Sequence, residues 1–100
     1  MKSGVELIQE ERQRQIEVEG WTAEHDAQHV DGELAKAAAC YTLRAQKNNA
    51  HGESPWGWPW DDEWWKPSPD PVRNLAKAGA LIAAEIDRLN RMAGAGGPLK

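Results

Sequence analysis

Phenylalanine is absent from this chain, and tyrosine and cysteine each occur once. A lone cysteine, Cys40, excludes an internal disulfide framework and any C-x-x-C zinc or redox pair. β-Branched residues are scarce while alanine, glutamate and arginine are plentiful, which disfavours sheet and favours helix. No stretch approaches the roughly 18–20 apolar residues of a membrane span. Residues 1–20 are dense in charge and lack the apolar run of a signal peptide. Positive charge is in deficit: 12 Lys and Arg stand against 16 Asp and Glu, a net −4. That balance argues against binding nucleic acid polymer through its backbone. A length of 100 residues implies one domain with a limited core, of the kind that oligomerisation completes. These features point to a soluble cytoplasmic protein, with no cofactor implied.

What the chain does have is tryptophan. Five of its six tryptophans fall between Ser54 and Pro67, in S-P-W-G-W-P-W-D-D-E-W-W-K-P. Pro55, Pro59 and Pro67 forbid a regular helix through this segment, because proline lacks the N–H and clashes with the preceding turn. A loop is therefore expected over residues 48–69, with one short helical turn over Trp60–Trp64. Surface loops are normally polar, so this one must fold onto the body, face a partner chain or line a ligand pocket. Its rings suit a lid on a small core, since each buries about 150–250 Å². They equally suit a stacking surface for a planar ligand such as a nucleobase. A connection of this length is usually functional or disordered, and the tryptophan content argues against disorder.

Three helices are predicted around this loop, at about 4–18, 23–47 and 71–92, with a frayed tail over 93–100. Ser3 and Glu6 form a capping-box pattern, and Gly20 is a natural stop. Val5, Ile8 and Ile16 share one face of the first helix, with Arg12 in their midst. An unpaired buried charge is expensive, so Arg12 either pairs with an acidic residue of another helix or points at an anionic ligand. Trp21 lies in the turn, and Thr22 caps the second helix. Its predicted apolar arc is Val30, Leu34, Ala37, Ala38, Tyr41 and Ala45, with Gly32 a weak point. His25, His29 and Glu33 recur every four residues on one flank. That spacing is compatible with a metal, but is favoured as hydrogen bonding to a ligand or plain solvation; no metal is expected.

Asp70 and Pro71 are strong start signals for the third helix. Val72, Leu75, Gly79, Ile82, Ile86 and Leu89 alternate by three and four, a heptad-like seam expected to meet the other helices. Gly79, Ala76 and Ala83 allow close approach, matched by Ala37, Ala38 and Ala39 on the second helix. Leu81 and Met92 point to the opposite side, as a second contact surface between subunits. Arg73, Lys77, Arg88 and Arg91 form a basic stripe, either a solvated face paired to acidic neighbours or a seat for phosphate. Lys66 ends the tryptophan loop just before it. The fold expected is all-α: an antiparallel helical hairpin or three-helix unit, lidded by the tryptophan loop and completed by oligomerisation.

The blocks E-R-Q-R-Q-I-x-x-E-G-W-T at 11–22, W-P-W-D-D-E-W-W-K-P at 58–67 and N-L-A-K-A-G-A-L-I-A-A-E-I-D-R-L at 74–89 carry a resemblance. Together they resemble a family of small phage- and prophage-encoded helical proteins, mostly without assigned function. The resemblance implies the cytoplasm of a bacterial host. By analogy, small oligomeric phage proteins include sponges that sequester nucleotide immune signals.

Three functions follow as expectations. The first is a homo-oligomeric sponge for a phosphorylated, adenine- or ADP-ribose-type nucleotide. Trp21, Trp60, Trp64 and Trp65 would supply rings, His25 and His29 polar contacts, and Arg12, Lys66, Arg73 and Lys77 phosphate contacts, with no catalytic residue. The second is an inhibitor that binds a host protein through the tryptophan loop, since tryptophan and arginine dominate such sites. The third rests on G-E-L-A-K-A-A at 32–38, which faintly resembles a helix of the MazG-like nucleotide pyrophosphohydrolases. Those hold magnesium with E-x-x-E and E-x-x-D pairs, and this chain has neither.

Overall fold

The computed structural model describes residues 1–44 and 54–95. All regular structure among them is helical. The elements are α1 (Gly4–Glu17), α2 (Ala23–Asp26), α3 (Glu33–Arg44), a 3₁₀ turn (Asp62–Trp64) and α4 (Pro71–Ala95). No helix among the described residues is long and apolar enough to cross a membrane. Ala45, the end of the predicted second helix, residues 48–53 of the loop and residues 96–100 of the tail lie outside the described residues.

The start signals act where the sequence places them. Ser3 accepts a hydrogen bond from the Glu6 N–H, and the Glu6 carboxylate accepts from the Ser3 N–H, a complete capping box. This pairing holds the Glu6 carboxyl below its ordinary pKa. Thr22 caps α2, and Asp70 accepts from the Val72 N–H at the start of α4. The helical turn expected in the tryptophan segment is the 3₁₀ turn at Asp62–Trp64.

The predicted helix over 23–47 is in fact broken. It stops after one turn at Asp26 and restarts at Glu33. Gly32 takes a φ of 79°, a left-handed conformation that glycine alone adopts freely. The Asp31 N–H is then satisfied by Glu33 Oε1 at 2.7 Å. The break leaves Val30 exposed, outside the arc assigned to it.

Helix α4 is the spine, packed against α1, α2 and α3. Lys77 near its start lies over the Tyr41 ring, while Glu33 acts electrostatically on Arg88 near its end, so α3 and α4 run antiparallel. The core joins Leu34, Ala37, Ala38, Cys40 and Tyr41 of α3 to Ala78, Leu81 and Ala84 of α4, under Trp65. Burial pushes the Cys40 thiol pKa up, as suits a packing residue.

The facing of α4 is the reverse of the expectation. Leu81 is 1% exposed, at the centre of the core, while Val72, Leu75, Ile82, Ile86 and Leu89 are 42–53% exposed. Met92, the expected companion of Leu81, is exposed as well. The reason is steric. Close helix approach needs short side chains at the contact, so alanines occupy the inner face and the longer aliphatics are turned outward. Gly79 of the seam is covered by Ile8 of α1, which lies where a Cβ on residue 79 would be.

The inner face of α1 is also rotated, by about 80° from the predicted stripe. Val5 is exposed, and Glu11 and Gln15 are buried instead. Glu11 is tolerated because two arginines neutralise it: Arg14 at 2.7 Å and Arg73 of α4 at 3.3 Å. A clasp fixes the other end of the tryptophan segment. Buried Asn74 accepts from the Ser68 N–H at 2.7 Å and donates to the Ser68 carbonyl at 2.8 Å.

Candidate functional site

The tryptophan segment folds back on the helices and divides its rings between two groups. The inner group is Tyr41, Trp58 and Trp65. Trp65 is 8% exposed, with its ring centroid 4.7 Å from Tyr41 and 4.9 Å from Trp58. The Lys66 N–H donates to the Tyr41 hydroxyl, and burial raises the Tyr41 pKa. Tyr41 and Trp65 belong to the core, and Trp58 packs partly buried against it.

The outer group is Trp21, His25, His29 and Trp60, and its contacts close into a circuit. Trp21 stacks parallel to His25 at 5.9 Å with 1° between planes. His25 meets His29 edge-on at 5.0 Å, His29 meets Trp60 at 5.2 Å, and Trp60 returns to Trp21 at 6.1 Å. These four rings, with Pro59, Asp61 and Trp64, line a groove of about 390 Å³. That volume lies within the range of small-molecule sites, as does the mix of apolar walls with a few polar groups.

The broken helix builds one wall. His25 and Asp26 are consecutive residues of α2, and their side chains meet. Asp26 is 0% exposed. Its Oδ1 lies 3.2 Å from His25 Nδ1, and its Oδ2 lies 3.3 Å from Arg12 Nη2. Asp87 of α4 lies 3.7 Å from the same guanidinium nitrogen. Arg12 thus holds Asp26, and Asp26 orients the His25 ring, leaving Nε2 outside that bond. His29 Nδ1 lies 3.8 Å from Glu33 Oε2. Hydrogen bonds from backbone N–H groups, that of Glu33 itself first, keep the Glu33 carboxyl below its ordinary pKa. The Trp60 indole N–H is buried with no hydrogen-bond partner among the described residues.

Of the ten expected ligand residues, the structure brings Trp21, His25, His29, Trp60 and Trp64 to the groove. Lys66 stands at its edge, 5.4 Å above the Trp64 ring. The other four are elsewhere. Trp65 is core. Arg12 lies behind the wall, paired to Asp26. Arg73 pairs with Glu11 and lines a separate hollow with Leu7 and Asp70. Lys77 donates to the Lys66 carbonyl; burial first, and then Arg73, lower its pKa. The basic stripe does not act as one surface: Arg88 is buried and bonded to Glu85 at 2.7 and 2.9 Å. A small polar recess adjoins the groove, sharing Trp21 and Trp64 with it and reaching Gln15, Lys66 and Lys77. The His25–His29–Glu33 trio forms no metal-binding cluster among the described residues.

Three residues of the site stood outside the expected set. Pro59 and Asp61 flank Trp60, and that adjacency was their only signal. Asp26 had none, because neighbours in a helix do not share a face. The site is thus a cleft between stacked aromatic rings with two carboxylate-backed histidines in its wall. No protein-family model matches the chain, and no curated protein or solved structure matches it.

Proposed function

We propose that this protein binds a small ligand with a planar, nucleobase-type ring and holds it without cleaving it. The observation that carries the reading is the closed circuit of Trp21, His25, His29 and Trp60 around a groove of about 390 Å³. Stacking on such rings is worth about 1–3 kcal/mol per base. The unpartnered Trp60 N–H suits a ring nitrogen or carbonyl. An adenine-type nucleotide fits these terms, its base in the groove and its phosphate toward Lys66. Arg12 and Arg73 are taken up by carboxylates, so the phosphate seat is smaller than a full basic stripe would make it. With the resemblance to small phage proteins, the biological reading is sequestration of a nucleotide immune signal in the bacterial cytoplasm.

The test is tryptophan fluorescence and calorimetry against a panel of nucleotides and cyclic or ADP-ribose-type signals, with each ligand then recovered. Saturable binding with intact ligand supports sequestration. A cleaved ligand replaces it with an enzyme reading. Absence of binding across the panel overturns both. One observation favours a second reading, inhibition of a host protein: Trp56 is 99% exposed beside the turn at Gly57. A lone indole so placed is a hot-spot candidate, and pull-down with Trp56→Ala as control tests it.

A further inference from the structure

The outward face of α4 carries more than its share of large aliphatics. Val72, Leu75, Gly79, Ile82, Ile86 and Leu89 fall within about 100° of one another around the axis. They repeat at intervals of three and four, the spacing of a coiled-coil seam. Helix α4 has 25 residues. Its inner faces are already filled by the packing of α1 and α3. The seam is a third face that α1 touches at its edge, where Ile8 lies against Gly79.

We propose that this seam is the interface of a homodimer, the seam of one chain packing against the same seam of a second copy about a twofold axis. The first argument is area. The five half-exposed side chains offer roughly 400 Å² per chain, within the range of the largest single patch on a monomer. A standard interface takes ~800 Å² per partner, so the seam would form its apolar half and the polar residues around it the rest. The second argument is the character of the flanks. Coiled coils choose between unlike partners through charges at the positions beside the seam. Here those positions are Ala76, Ala83 and Asn90 on one side and Ala78, Glu85 and Met92 on the other. Glu85, the one charged member, is neutralised within its own chain by Arg88. None of these six positions therefore sets a like charge against an identical copy. A 3–4 seam is also its own complement, because knobs and holes alternate at the same spacing on both chains.

The experiment is sedimentation of the full-length protein at tens of micromolar, beside Ile82→Glu/Ile86→Glu and a control, Leu43→Glu, which charges an exposed aliphatic on α3. The proposal expects a dimer for wild type and control, and a monomer with unchanged far-UV circular dichroism for the double variant. A wild-type monomer overturns it, as does a dimer that survives both glutamates. Should the double variant lose helix, Ile82→Ser/Ile86→Ser decides: loss of the dimer with helix retained supports the seam, and a dimer that survives overturns it. Neither result bears on the groove, whose ligands are assayed separately.

Discussion

The two aromatic groups lie side by side, touching through Trp58 and Trp60 at 5.4 Å, yet they do different physical work. In the inner group, Trp65 and Tyr41 are buried and the Tyr41 hydroxyl is engaged within the chain. In the outer group the rings are partly open, the Trp60 N–H lacks a partner among the described residues, and the histidine wall is held by carboxylates from behind. A ring that is packed on both faces stabilises the fold. A ring packed on one face with its other side at a groove has a face left for a ligand. Residue type does not separate the two groups, since Trp64 and Trp65 are neighbours in the chain and end on opposite sides of the division.

The sharpest way to break this contrast is Trp65→Ala. It removes a core ring and is expected to cost about 3–5 kcal/mol, read as a lowered midpoint in chemical denaturation. A loss as small as that of a surface variant would merge the two groups. Next is Asp26→Asn, which leaves Arg12 without its buried partner. About 3 kcal/mol is expected from breaking such a pair, with weakened ligand binding as His25 loses its fixed orientation. Trp60→Ala comes third and reverses the pattern: denaturation changes less than for Trp65→Ala, while affinity for the ligand of the groove falls about 10–100-fold by calorimetry. Equal effects of the two tryptophan variants on affinity would show that the groups are one site.

The smallest effect is on the acid side. The folded-state pKa values of Glu6 and Glu33 lie below the pH at which an unfolded glutamate ordinarily titrates. Their contribution is therefore present above that pH and is lost as pH falls through the folded values. Thermal melts should show a modest acid decline that Ser3→Ala and Glu33→Gln each reduce. Because Glu33 backs His29 in the groove wall and Glu6 does not, only Glu33→Gln should also change ligand binding.

Much of the fold was legible because it follows from local chemistry. The caps at Ser3, Thr22 and Asp70 are side chains bonding to backbone groups two or three residues away. Trp60, Trp64 and the two histidines were legible as candidates because aromatic rings in a loop and evenly spaced histidines are unusual on their own. The facing of the helices was not. Periodicity marked an aliphatic stripe on α4, but alanine is equally at home inside, and the choice between the stripes depends on how closely α1 and α3 approach. Pairing decided the same question for α1, where Glu11 outcompetes Val5 for the interior because Arg14 and Arg73 meet it there.

By itself the sequence determined the class of structure, the start signals of the helices, the irregular tryptophan segment and the absence of a disulfide framework. These depend on neighbours along the chain, through propensity, capping and the geometry of proline. The tertiary structure alone decided which rings became core and which became groove. It also decided that Arg12 pairs with Asp26, which in turn holds His25, and that the aliphatic face of α4 looks outward. Each of those outcomes rests on contacts between residues far apart in the chain, such as Arg12 with Asp26, Tyr41 with Trp65 and Ile8 with Gly79. Free energies of that kind are set by distance and burial in space, which a linear pattern does not contain.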